Sequence, residues 1–145
     1  MFATIQMPTR ESVEQMINSY EDLLVWQKAM ELVEEVYRIV KLLPYEERYS
    51  LSDQMRRAVI SIPSNIAEGQ ARNTTKEFIN FLSIARGSNA ELHTQCLICC
   101  RLFNISPKEI EKANKLSDEI GKMLNALIKK LSATTTSHQP LATSH

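Results

Sequence analysis

From Asp22 to Leu131 the apolar residues recur every three or four positions, the rhythm of helices that each bury one face. The first run predicts a helix over 22–42, with Asp22 as its N-cap. Trp26, Met30, Val33, Tyr37 and Val40 form one stripe on it. Val25, Ala29, Leu32, Val36, Ile39 and Leu43 form a second, about 100° round, opposite a solvated face of Lys28, Glu31, Glu35 and Arg38. Together they exceed what one bundle seam needs, which implies either deeper burial or contact with another copy. Pro44 closes this helix. A second begins near Ser50 or Ser52, with Leu51, Met55, Ala58, Ile62 and Ile66 inward. That stripe stays in phase across Pro63, so the proline is expected to kink the helix without ending it, releasing a carbonyl to nearby Ser or Asn side chains or water. Gly69 is expected to stop it from a left-handed position.

Thr74-Thr75-Lys76-Glu77 is a capping box for a third helix, running to about Phe103. Its inward residues are Phe78, Leu82, Ala85, Leu92, Cys96, Cys99 and Phe103. Gly87 in its interior costs about 1 kcal/mol against alanine, which implies close approach of another helix or, less simply, access for a ligand. Ser106-Pro107-Lys108-Glu109 opens a fourth helix with N-cap, first-turn proline and box-closing glutamate. Ile110, Ala113, Ser117, Ile120, Leu124, Leu127, Ile128 and Leu131 follow on its inner face. The pattern predicts an all-α, antiparallel up-down-up-down four-helix bundle over residues 21–131. Residues 1–20 read as an N-terminal extension. The unpatterned "SATTTSHQPLATSH" at 132–145 reads as a disordered tail.

Composition narrows the chemistry. The 145 residues suit one domain with one core. Net charge is zero but uneven: residues 1–50 hold five Lys/Arg against nine Asp/Glu, and 51–104 and 105–145 each hold six against four. A strongly cationic nucleic-acid binder is thereby disfavoured, a local basic face is not. No apolar run approaches the ~18 residues of a membrane span, and no secretory signal pattern is present, so a cytoplasmic, membrane-free protein is expected.

Enzyme and metal sites find no support. Cys96 and Cys99 form a lone C-x-x-C without the second ligand pair that zinc needs, and the three cysteines fall on or beside the core face as small hydrophobes. Di-iron bundles require Glu-x-x-His motifs, whereas Glu91 precedes His93 by two. No nucleophile elbow is present. The expectation is no catalysis, no cofactor and no metal.

The stretches "YEDLLVWQKAMELVEEVYRIVKLLP" and "LSDQMRRAVISIPSNIAEGQARNTTKEFINFLSIARGSNAELHTQ" resemble the bacterial four-helix-bundle family of 23S ribosomal RNA intervening-sequence proteins over residues 20–131. The specific pieces are Asp22-Leu23 with Val25-Trp26, Arg57, "SIPSNIAEG", and "ARGS" followed by Glu91. The same fold includes the accessory variability determinant of diversity-generating retroelements, which is markedly basic where this chain is neutral. The resemblance implies a non-enzymatic bundle assembling as a homopentameric ring, with RNA, DNA or a reverse transcriptase as possible partners.

Two surfaces follow as candidates. Gln54, Arg57, Ser61, Ser64, Asn65 and Glu68 share one arc of the second helix, either a boundary layer between helices or a polar seam between subunits or toward a ligand. Trp26, Arg72, Arg86 and Glu91 join that seam. Glu68 lies in a last turn, where the helix dipole disfavours a carboxylate by roughly 0.3–1 kcal/mol, so Arg72 or Arg86 should pair with it. Lys108, Lys112, Lys115, Lys122, Lys129 and Lys130 lie away from the core stripe of the fourth helix, either a solvated face or a nucleic-acid contact that ring assembly would multiply. The expected role is a nucleic-acid- or nucleoprotein-associated accessory or scaffold. The competing reading is a protein-interaction ring indifferent to nucleic acid.

Overall fold

Each apolar rhythm becomes a helix in the computed structural model, which describes residues 20–138: α1 (Tyr20–Val40), α2 (Leu51–Gln70), α3 (Thr75–Phe103) and α4 (Pro107–His138). A short 3-10 turn, Tyr45–Glu47, lies between α1 and α2. The described residues contain no strand, and each helix packs on two neighbours in a closed cycle α1–α2–α3–α4–α1. Ion pairs fix the antiparallel sense of α1 and α4: Lys28 Nζ meets Glu119 Oε2 at 2.8 Å and Arg38 meets Glu109 Oε2 at 2.8 Å. The fold is the expected all-α four-helix bundle. The extension at 1–19 lies outside the described residues.

Helix α1 is already helical at Tyr20, so Asp22 sits inside it and not at its cap. Its two apolar stripes separate over most of the helix, although Val40 of the first is buried and Val33 half-buried. Val25, Ala29, Leu32, Val36 and Ile39 are fully buried, whereas Trp26, Met30 and Tyr37 remain 37%, 40% and 37% exposed. The second stripe is therefore core, and the surplus surface belongs to the first. The reason is rotational: α2 and α4 flank α1 on the side of Val25 and Leu32, and one helix surface cannot face two neighbours and a third direction at once.

Ser50 flanks α2 without a side-chain cap. Glu47 does that work, its carboxylate accepting from Ser50 Oγ and from the Leu51 amide (3.3 Å). The helix runs unbroken through buried Pro63 to Gln70. Asn65 Nδ2 donates to the Ser61 carbonyl (2.7 Å) and Oγ (2.9 Å), one turn back on the same helix.

Neither mid-chain glycine holds the role assigned to it from sequence. No glycine has positive φ, and Gly69 lies inside α2, followed by Ala71 as a right-handed C-cap. A Cβ at Gly69 would meet Phe78 Cδ2 and Phe81 Cβ at 2.8 Å, so its missing side chain lets the start of α3 close on the end of α2. A Cβ at Gly87 would meet nothing within 4 Å; close helix approach does not explain it.

Helix α3 starts as expected, with the Glu77 amide donating to Thr74 Oγ1 (3.2 Å), and ends on Asn104 at φ 54°, the one positive-φ non-glycine among the described residues. Ser106 Oγ accepts from the Lys108 amide (3.3 Å) to cap α4, while the Glu109 carboxylate, expected to close that cap, is drawn to Arg38. Helix α4 continues past Leu131 to His138, so residues 132–138 are not a disordered tail. Ser132 and Thr134 bond back to the carbonyls of Ile128 (2.7 Å) and Lys130 (3.0 Å), and no breaker occurs before Pro140. Residues 139–145 lie outside the described part.

Gly69→Ala should destabilise the protein by about 1–3 kcal/mol through overpacking, while Gly87→Ala should stabilise it by up to about 1 kcal/mol. Urea unfolding of the two variants separates them by sign. The Lys28 ammonium holds the Glu119 carboxyl below its ordinary value through their hydrogen bond. That contribution is present above the unfolded pKa of Glu119 and is lost as pH falls through the lowered folded one. Glu119→Gln should accordingly show a smaller stability loss than wild type between about pH 6 and about pH 3, read as the shift in thermal midpoint.

Candidate functional site

Four surface features carry the candidate residues, and their placement follows from the helix registers. The first is α4. At about 100° per residue, Lys108, Lys112, Lys115, Lys122, Lys129 and Lys130 fall within an arc of about 100°, turned away from Ile120 and Leu124. All six are exposed. Glu119 lies within the arc but is engaged by Lys28 of α1, and Glu111 and Asp118 lie at its edge. The arc is thus more positive locally than the composition of α4 indicates.

The second is the polar arc of α2, which the structure divides. Ser61 faces α3, its Oγ 2.8 Å from Ser88 Oγ, and Asn65 is tied to Ser61. Gln54, Arg57 and Ser64 are exposed, and Arg57 pairs with Asp53 one turn away on the same helix (3.2 Å). Glu68 pairs with Arg72 (2.7 Å), whose guanidinium also lies 4.8 Å from the centre of the Phe81 ring. Arg86 does not reach Glu68; it donates to Asn125 Oδ1 of α4 at 3.1 Å. Glu91 accepts from Gln95 Nε2 at 3.3 Å. The ten residues grouped from sequence therefore do not form one seam: they spread over α1, α2, the connection after it (Arg72) and α3.

The third is an apolar hollow of about 360 Å³ between α1 and α2, lined by Trp26, Met30, Val33, Ile60, Pro63 and Ala67. Pro63 belongs here: a buried ring facing α1, without a backbone donor to satisfy, suits an apolar wall. The fourth is a hollow of about 440 Å³ on the outer face of α3, lined by Thr94, Leu97, Ile98, Cys100 and Arg101.

Cys96 and Cys99 are buried, and burial pushes their thiols up to about 12 and about 11. Cys99 Sγ packs 3.5 Å from Met55 Sδ. Neither thiol is placed for nucleophilic work. Among the described residues no three His, Cys, Asp or Glu side chains cluster as a metal site, and no helix is long and apolar enough to cross a membrane.

The family model for the 23S rRNA-intervening sequence protein matches residues 21–126, which spans most of the bundle. The chain belongs to that family. A solved structure from Bacteroides thetaiotaomicron, a protein of unknown function from the S23 ribosomal protein family, is similar at 30% identity. The likeness covers 75% of this chain and 98% of that one, with a TM-score of 0.69. Among curated proteins nothing matches.

In this intervening-sequence protein one core feature escaped the sequence reading. The inner stripe of α3 passes through position 89, between Ala85 and Leu92, and the residue there is asparagine. Asn89 is 6% exposed; its Nδ2 donates to the Ser117 carbonyl and its Oδ1 accepts from Ser117 Oγ, both at 2.9 Å. The unbroken 4-3 spacing was the available signal: a polar residue in phase with a core stripe needs a partner in phase on the facing helix, and Ser117 was visible there. Asn89→Ala should cost about 1–3 kcal/mol by leaving Ser117 without its acceptor, whereas Asn89→Leu combined with Ser117→Ala should recover most of the loss. A urea double-mutant cycle reads the coupling.

Proposed function

We propose that this protein is a non-enzymatic, self-associating scaffold whose α4 lysine face binds nucleic acid. The observation that carries the reading is the lysine arc: six exposed ammonium groups on one helix face, with the central carboxylate already held by Lys28. Point charges without stacking aromatics suit backbone phosphates and not base readout. Strict neutrality of the whole chain then favours assembly, because a ring repeats the arc around its axis and raises local potential.

Self-association draws on the surplus apolar surface. A cyclic ring joins two different faces of each protomer. The α1–α2 hollow and the Leu97 face of α3 are two such faces on opposite sides of the bundle, since α1 and α3 are diagonal in the helix cycle. Five copies is the number the family resemblance suggests.

Replacing Lys112, Lys115 and Lys129 together by glutamate should weaken RNA or DNA binding at low salt at least tenfold and flatten its salt dependence by about 0.7–0.9 in the log–log slope per lost contact. Unchanged binding by the triple variant would refute the α4 assignment. Light scattering should give a mass near five times the 16.6 kDa protomer, and Met30→Glu should reduce it to one. An oligomer that retains no nucleic acid at low salt would favour the protein-interaction ring instead.

A further inference from the structure

Between α3 and α4, on the side of the bundle away from the α1–α2 hollow, runs a groove of about 490 Å³. The groove is shallow and open to solvent. Its lining is largely apolar in area but carries charged and amide side chains. Arg86 of α3 and Lys122 of α4 line it together with Asn125, the amide that Arg86 reaches. Asp118 also lines it, one turn before Lys122 on the same helix, with His93 on the α3 wall. Asn89 and Ser117 make the floor, and their mutual hydrogen bonds already account for their presence as a register pair.

The remaining features have no such account. Among the described residues Arg86, Lys122 and Asp118 have no ion-pair partner, although Asp118 and Lys122 stand at the i,i+4 spacing at which carboxylate and ammonium commonly meet. His93 Nδ1 is buried without a hydrogen-bond partner. Gly121 lies over the floor, and a Cβ there would meet Asn89 Nδ2 at 3.4 Å, an ordinary contact. Packing therefore admits alanine, and alanine is the better helix former. A glycine at this point keeps the groove open.

We propose that this groove binds a mononucleotide-like molecule, its phosphate held by Arg86 and Lys122 and the amino group of its base donating to Asp118. A phosphate without a donor group would meet the Asp118 carboxylate unrewarded, and a simple cation would be repelled by Arg86 and Lys122. A ligand carrying both kinds of group satisfies both. The assignment shares Lys122 with the lysine arc, and Lys112, Lys115 and Lys129, which take no part in it, separate the two readings by substitution. The nucleotide is either free or one unit of a strand, and the chemistry is the same.

The test is calorimetric titration of the full-length protein with AMP, CMP and GMP, with inorganic phosphate and adenosine as partial ligands. At least one nucleotide should bind, tenfold or more tightly than either partial ligand, with shifts of the His93 imidazole resonances. Arg86→Gln should weaken nucleotide binding at least tenfold, and Gly121→Leu should abolish it. Arg86 is exposed, so its variant tests binding even where the larger Gly121 substitution disturbs folding, which circular dichroism reports. Absence of heat and of shifts at millimolar nucleotide overturns the proposal, as does binding that survives both substitutions in folded protein. A short oligonucleotide that competes with the nucleotide, and whose binding Arg86→Gln weakens while Lys112, Lys115 and Lys129 are intact, identifies the strand as the source; failure to compete identifies the free nucleotide.

Discussion

An amide and a hydroxyl in the middle of an apolar core set how α3 and α4 lie along each other. Hydrocarbon side chains pack acceptably in several registers, because methyl groups exchange neighbours at small cost. Asn89 and Ser117 do not: a slip of one turn would leave a carboxamide and a hydroxyl buried without partners, and that penalty exceeds the net gain of the bonds themselves. The pair adds little stability and much uniqueness, the role an inward asparagine plays in a coiled-coil seam. With this register in place Arg86 lies within reach of Asn125, and the groove acquires both basic and acidic side chains.

The other helix contacts complete the frame by different means. Gly69 lets Phe78 and Phe81 close on α2, a steric fit with no polar component. Lys28 and Arg38 tie α1 to α4 through Glu119 and Glu109 at the surface, where exposed ion pairs guide orientation more than they stabilise. The bundle then presents distinct faces: an apolar hollow between α1 and α2, a groove with charged and amide side chains between α3 and α4, and a lysine face on the outside of α4. Their separation is a consequence of the helix cycle.

Much of the fold was legible from spacing and end signals. The four helices, the uninterrupted passage of α2 through Pro63, and the caps at Thr74 and Ser106 all follow from local rules in which a residue's neighbours lie within one turn. The glycines show where such rules fail. Gly69 was expected at a helix end and Gly87 in a helix interior against a neighbour, but whether a missing Cβ admits a neighbour depends on which helix lies opposite. The Ser132–His138 extension of α4 shows the reverse error, since a segment without apolar periodicity still continues a helix when no breaker interrupts it, its Ser132 and Thr134 hydroxyls bonding back to the preceding turn.

The candidate surfaces divide along the same line. Sequence alone determined that α1 carries more apolar surface than one seam requires and that α4 gathers its lysines on one side, because both are angular properties of a single helix. Tertiary structure decided that the Val25–Leu32 stripe is core and the Trp26–Met30 stripe is surface, that Arg86 belongs to α4 and Glu68 to Arg72, and that Asn89 has a partner. Those choices depend on rotation and register between helices, and a periodic pattern specifies which residues share a face without specifying what that face meets.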